Sequence, residues 1–376
     1  MTIRLLMTAR DVAAALHLIQ IARAARSDER FDVAIAAQQP AARHFLEAGF
    51  QVRLIPPLST REVGSTQAQQ LRAVARQLLR EVQPDVVLVG LSTPFDAGID
   101  EAVLAESSVP TVLFQDFWGE QNLLLGKGAD LILAVDDEAV RLNHRRYGCD
   151  SLRVGSARHS AYSTLDLTGS RQRSRSLLGL DEQTPLIGFF GQALHHLEGY
   201  RRTVTHFVQT VAAMAEPIHV LVRAHPRENL QQRQTTQSLF IDSGLNLVPE
   251  LDGSVEDALI ACDVSCSLFS SCTYDAAYLN RFSDSPVTVP VSMLFDPQIM
   301  SYCEQHVNFD TFPYHRIGAV FAVHHKEQLA QVLGDAFKPA VHQQVWRHAH
   351  EHLSDPATAP QLALNAVATF HAQVKN

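Results

Sequence analysis

With 376 residues and 46% hydrophobic content, the chain holds enough apolar material for two separately cored domains, and a formal net charge of -9 excludes nonspecific attraction to nucleic acid. Five cysteines (Cys149, Cys262, Cys266, Cys272 and Cys303), odd in number and without a C-x-x-C pair, argue against a disulfide framework and against a zinc site. Reduced, buried thiols in a cytoplasmic protein account for them.

No apolar run is long enough to span a bilayer, which leaves only peripheral contact with a membrane surface. Arg4, Arg10 and Asp11 fall within the first dozen residues without a clear cleavage site, so no signal peptide is expected. Eighteen histidines are scattered, and His195-His196 and His324-His325 lack the helical spacing of a paired metal site; no metal is expected.

In chain order, Ile3 to Met7 reads as a strand and Val12 to Ala25 as a helix. The turn between them, Thr8-Ala9-Arg10-Asp11, carries no glycine, so a dinucleotide fingerprint is absent there. Phe31 to Ala36 and Gln51 to Ile55 are strands around a short helix ending near Gly49. A helix from about Ser65 to Val82 leads to the wholly apolar strand Val86 to Val89, a helix from Ile99 to Glu106, and a strand from Thr111 to Phe114. Leu131 to Val135 closes the pattern as the last strand of this half, followed by a helix from Ala139 to Tyr147. Strands alternating with helices at this spacing predict a doubly wound parallel α/β domain.

Asp116 follows the Thr111 strand and precedes Phe117 and Trp118. A carboxylate beside aromatic residues at a strand's carboxyl end suits general base work, and it equally suits capping the next turn. From Gly155 to Gln183 the composition turns to Ser, Thr, Arg and Asp, as an interdomain linker with one short helix would have, and Arg171, Arg173 and Arg175 read as its solvated face.

The second half repeats the alternation. Leu186 to Phe190 is a strand ending in Gly191-Gln192, where glycine either lets backbone approach a ligand or simply turns the chain. A helix from Tyr200 to Met214 returns to the buried strand Ile218 to Val222, which runs into Arg223-Ala224-His225-Pro226-Arg227-Glu228-Asn229. Pro226 stops that strand, placing two arginines and an imidazole at a carboxyl end, where open parallel sheets bind ligands. Leu245 to Val248 is a third strand. After a helix from Ser254 to Ala261, Asp263 to Phe269 reads as a strand and Thr273 to Leu279 as a helix, with Ser270, Ser271 and Thr273 at the junction and Asp275 just inside. Free amides at a helix start, with hydroxyls, cradle an anion, although strand-end arginines are often only solvated and a Ser-Ser-x-Thr run often only caps. Val287 to Val289 and Gly318 to Val323 complete the strands, and helices fill about Glu327 to Val374.

The layout resembles the GT-B glycosyltransferases: two Rossmann-like domains, a linker and a C-terminal helical return. Arg223-Ala224-His225-Pro226 with Ser270-Ser271 is similar to the His-Pro and Ser-Ser motifs of bacterial sialyltransferases, capsule Kdo transferases and related glycerophosphotransferases. That resemblance implies contacts from His225, Ser270 and Ser271 to the donor's phosphates and a ribose contact from Asp275. The acidic motif of the sialyltransferases, two acids followed by glycine, is not evident before the linker; Asp136-Asp137 comes nearest, with Glu138 in place of the glycine. His225-Pro226-Arg227-Glu228-Asn229 is also similar to the His-Arg-Arg-Glu-Asn stretch of non-hydrolysing UDP-N-acetylglucosamine 2-epimerases, whose Gly-Asp-Thr and Ser-Gly-Gly runs are replaced here by Gly90-Leu91-Ser92 and Phe269-Ser270-Ser271.

The expectation is an N-terminal acceptor domain (1–160), a linker (161–183), a nucleotide-sugar donor domain (184–340) and returning helices (341–376). The expected activity is transfer of a sugar from a nucleotide-activated donor to a hydroxyl on a glycan or protein, as in polysaccharide biosynthesis, without metal or cofactor. The expected donor contacts are Gly191, Gln192, Arg223, His225, Pro226, Arg227, Ser270, Ser271, Thr273 and Asp275, with Asp116 as base. An epimerase or a noncatalytic nucleotide-sugar-binding scaffold are the alternatives.

Overall fold

The computed structural model describes residues 2–93, 95–225, 227–307 and 312–375. Pro226 lies outside the described residues. The chain divides into two units, one of residues 1–163 with 354–376 and one of residues 164–353.

The N-terminal unit alternates β1 (Ile3–Ala9), α1 (Val12–Ala25), β2 (Phe31–Ala37), α2 (Ala41–Glu47), β3 (Arg53–Leu54), α3 (Thr66–Val82), β4 (Val86–Gly90), α4 (Ile99–Glu106), β5 (Thr111–Gln115), β6 (Leu131–Ala134), α5 (Asp137–Tyr147) and β7 (Ser151–Arg153). Its seven strands are parallel in the order β3-β2-β1-β4-β5-β6-β7. Every residue of β4 and β5 is buried, as strands covered on both faces require. The strand β7, absent from the sequence reading, pairs at the edge with only Leu152 apolar, so neither alternation nor an apolar run betrays it.

In the second unit come α6 (Leu167–Leu177), β8 (Leu186–Phe190), α7 (Glu198–Ala212), β9 (His219–Arg223), α8 (Leu230–Ile241), β10 (Asn246–Leu247), α9 (Val255–Ala261), β11 (Val264–Ser267), α10 (Ser271–Phe282), β12 (Val289–Met293), α11 (Pro297–Val307), α12 (Pro313–Arg316), β13 (Phe321–Val323), α13 (Leu329–Ala336) and α14 (Pro339–His352). Its parallel sheet runs β10-β9-β8-β11-β12-β13. Each sheet therefore reverses direction of growth once, between β1 and β4 and between β8 and β11, and at such switch points crevices open beyond the carboxyl ends. The last helix, α15 (Ala359–Lys375), packs against α1 in the first unit.

Three sequence expectations need correction. The strand expected to end at Val289 continues through Pro290 to Met293. Val289 N bonds to Asp263 O on the β11 side, so the alternating next amide would point toward β13, whose pairing begins only at Val291; proline forfeits no bond. Arg175 is not solvated: it is 1% exposed, donating to Asp181 O (2.9 Å), Ala261 O (2.8 Å) and Thr184 O. With Arg171, which bonds Asp263 Oδ1 at 2.5 Å, it fastens α6 to α9 and the entry to β8, so this segment belongs to the packed second unit. The return to the first unit starts at Ser354 rather than 341, because α14 packs on α10.

Cys149, Cys262, Cys266 and Cys303 are free thiols, Cys149 only half-buried like Cys272. Among the described residues no helix is long and apolar enough to cross a membrane, and no cluster of three His, Cys, Asp or Glu residues could hold a metal.

Candidate functional site

The carboxyl edge of the second sheet gathers most of the expected donor contacts. β8 lies between β9 and β11, so the His225 loop and the Ser270 loop flank the Gly191-Gln192 turn, at strand spacings of about 4.8 Å on either side. Gly191 N donates to Arg223 O at 2.9 Å, Ser267 Oγ donates to Phe190 O at 2.7 Å, and Gln192 Oε1 accepts from Phe269 N at 3.0 Å. The Gln192 amide thus bridges the switch point between β8 and β11. A Cβ on residue 191 would come within 3.3 Å of Arg223 O and of the Tyr200 hydroxyl, and within 3.2 Å of Glu228 Oε1, so glycine suits the close approach of this turn to the end of β9, to Glu228 and to α7.

His225 is half-buried, and its Nδ1 accepts from Arg227 N at 3.1 Å. Burial, then the positive charge of Arg227, lowers its pKa below the ordinary histidine value. With Nδ1 occupied as an acceptor and the ring neutral, the hydrogen resides on Nε2, leaving one N–H to offer an anion. Arg227 is exposed. The Arg223 guanidinium holds the connection between β10 and α9, donating to Leu251 O (3.1 Å) and Gly253 O (2.8 Å).

At the other junction Ser270 is 8% exposed and caps α10, its Oγ accepting from Cys272 N at 3.2 Å, while Ser271 is exposed at the helix start. Thr273 and Asp275, each 1% exposed, face inward; Thr273 Oγ1 donates to Ser270 O at 2.8 Å. The edge therefore brings together Gly191, Gln192, Arg223, His225 and Ser270, with Thr273 and Asp275 behind it. Asn229 N-caps α8 in a reciprocal box with Gln232. A hollow of about 1010 Å³ opens at the opposite edge, where Pro185, Ile218 and Asp263 lead into their strands; its lining mixes Met214, Phe337 and Pro339 with His206, Lys338 and His342.

In the first unit, Asp116 is half-buried directly after β5. Burial foremost, and then the charge of Asp11, pushes its carboxyl up to about 7, and Glu120 is likewise raised to about 7 by burial and by Asp116. Asp136, the nearest match to an acidic motif, is structural: it caps α5 through Ala139 N (2.8 Å) and accepts from Trp118 Nε1 (2.6 Å).

Sequence reasoning missed Asp100. It is fully buried, and its carboxylate sits at the β1–β4 switch point, accepting from Thr8 Oγ1 (2.5 Å), Arg10 N (3.0 Å) and Ser92 Oγ (3.2 Å). Burial raises it to about 6, and burial together with Asp100 raises the adjacent Glu101 to about 8. The glycine-free first turn is thus occupied by an internal carboxylate, where a phosphate would sit in a dinucleotide fold. The legible signal was Ser92, a hydroxyl at the end of a wholly apolar strand, followed by two acids opening a helix.

Two parallel-sheet domains of the Rossmann type, each with its switch-point edge, define the GT-B fold class. No family model and no curated protein matches the sequence. Solved structures do match it along its whole length. A UDP-GlcNAc 2-epimerase from Neisseria meningitidis bound to UDP-GlcNAc is 11% identical, with a TM-score of 0.67 over 99% of this chain and 100% of that one. S. aureus MnaA in complex with UDP is 11% identical at TM-score 0.69 over 100% and 98% of the two chains. A glycosyltransferase from Rickettsia africae is 8% identical at TM-score 0.65 over 100% and 99%. At these identities the likeness establishes the fold.

Proposed function

We propose that the protein is a nucleotide-sugar-dependent glycosyltransferase that takes a uridine-diphosphate sugar as donor and a hydroxyl group as acceptor. The observation that carries this reading is the placement of His225, whose Nδ1 accepts from Arg227 N, beside the Gly191 turn at the carboxyl edge of β8 and β9. In the reaction the acceptor oxygen forms a bond to the anomeric carbon and its proton passes to the Asp116 carboxylate. The bond from that carbon to the phosphate oxygen breaks, and the electron pair leaves with the diphosphate. His225 Nε2–H and the amides opening α10 stabilise the charge that develops there. A base with a pKa near 7 is matched to work at neutral pH. This chemistry needs no metal.

The choice of uridine diphosphate draws on the two similar structures that hold UDP or UDP-GlcNAc. The test is titration with UDP. His225→Ala should weaken binding about 10- to 100-fold, the loss of a hydrogen bond to a charged group. Unchanged affinity would overturn the assignment.

A second reading, a UDP-N-acetylglucosamine 2-epimerase, is favoured by the His225-to-Asn229 stretch and by the similar epimerase structure. Incubation with UDP-GlcNAc alone separates the two, since only an epimerase changes the sugar without an acceptor, which proton NMR detects. UDP binding without turnover on either assay would indicate a noncatalytic scaffold.

A further inference from the structure

Behind the Gly191 turn stands a carboxylate with no apparent donor. Glu228 is 5% exposed, and neither of its oxygens has a hydrogen-bond partner among the described residues. His195 Nε2, also unpartnered, lies 3.4 Å from Glu228 Oε1. The His195 ring packs edge-on against Tyr200 with centroids 5.1 Å apart, and the Tyr200 hydroxyl accepts from Gln192 N at 3.2 Å. A buried carboxylate without donors is costly, and a neighbouring imidazole that shares a proton with it offsets the cost. Replacing such a pair with apolar side chains is often neutral or stabilising, so stability alone does not explain its presence.

The pair joins two loops. His195 belongs to the connection between β8 and α7, and Glu228 to the connection between β9 and α8. Glu228 also closes the turn that shapes His225, its N–H donating to His225 O at 2.9 Å, while Arg227 N holds His225 Nδ1. A side chain anchored at His195 therefore holds the far end of the turn whose near end is the imidazole.

We propose that Glu228, tied to His195, is a positioning residue for His225: it locks the turn that keeps Nδ1 an acceptor and so directs Nε2–H to a phosphate. This rests on the functional reading above for the phosphate and on geometry alone for the turn.

The experiment uses the full-length protein with nitrogen-15 histidine. Two-bond nitrogen–proton spectra report which ring nitrogen of His225 carries hydrogen, calorimetric titration reports UDP affinity, and thermal denaturation reports stability. In Glu228→Met the His225 signal should change from a single Nε2–H tautomer to a mixture, and UDP should bind at least about tenfold more weakly; the Tm should fall, because removing one partner leaves the His195 imidazole buried and unpaired. His195→Leu cuts the same tie from the other loop and should shift the His225 signal likewise; it decides the matter if Glu228→Met does not fold. A wild-type His225 signal in the folded variants overturns the proposal. A changed signal in a protein that binds no UDP even as wild type overturns the functional reading and leaves the positioning role standing.

Discussion

Replacing Asp116 with asparagine should make the N-terminal unit more stable, and only when the pH is high. Its carboxyl is raised from 3.8 to about 7, chiefly by burial. Between those values the folded state holds a proton that the unfolded state has released, so unfolding free energy falls as pH rises through the window and the full penalty is present above about 7. A shift of about three units corresponds to about 4 kcal/mol at 1.36 kcal/mol per unit. Because Asp116 is only half-buried, solvent screening reduces this to about 2 kcal/mol. The assay is urea unfolding of both proteins from pH 4 to pH 8, carried out in a Trp346→Phe background so that Trp118, two residues from the substitution, reports the first unit. Wild type and Asp116→Asn should coincide near pH 4 and diverge by about 2 kcal/mol in favour of asparagine at pH 8. Parallel curves at every pH would show that the carboxyl is not raised, and the argument for it as a neutral-pH base would fail. Transfer activity should instead fall by about two to four orders of magnitude in the variant, the worth of a general base. Stability gained where activity is lost is what distinguishes a working carboxylate from a turn cap.

Arg175→Ala removes the donor that serves three backbone carbonyls in a buried setting and should cost the second unit about 3 kcal/mol in denaturant unfolding. Arg175→Lys should recover little, because a single ammonium cannot reproduce the guanidinium fork; full recovery would show that charge alone matters there. Asp100→Ala leaves Thr8 Oγ1 and Arg10 N facing the start of α1 without their acceptor. Inorganic sulfate should then raise the Tm of the variant by about 3 °C and leave the wild type unmoved, as for a ligand near ten times its dissociation constant. An equal response from both would mean that Asp100 does not fill an anion seat.

The repeating strands and helices were legible because burial on both faces writes itself as continuous apolar runs: Val86 to Val89, Thr111 to Phe114 and Leu186 to Phe190 each became a central strand. What escaped was specified by polar geometry or by contacts distant in sequence. α8 carries few apolar residues, and its one clear signal was the Asn229 and Gln232 capping pair. Arg175 looked like a surface residue because its carbonyl partners at Asp181, Thr184 and Ala261 come from separate segments. In the candidate site, Gly191, Gln192, Arg223 and His225 could be read from their place at strand ends. Asp100 was signalled only by Ser92 and the paired acids opening α4, because its place as an internal anion depends on β1 and β4 lying side by side, which the sheet order reveals.

The docking of α15 onto α1 bears on how the chain is born. Asp28 and Arg30 bond to Gln361 and Asn365, so the first unit is assembled from two segments that flank the second unit in sequence. A ribosome would release every residue of the intervening unit before it delivers those closing contacts. The second unit can thus mature first, while the first waits, incomplete, for α15 to emerge.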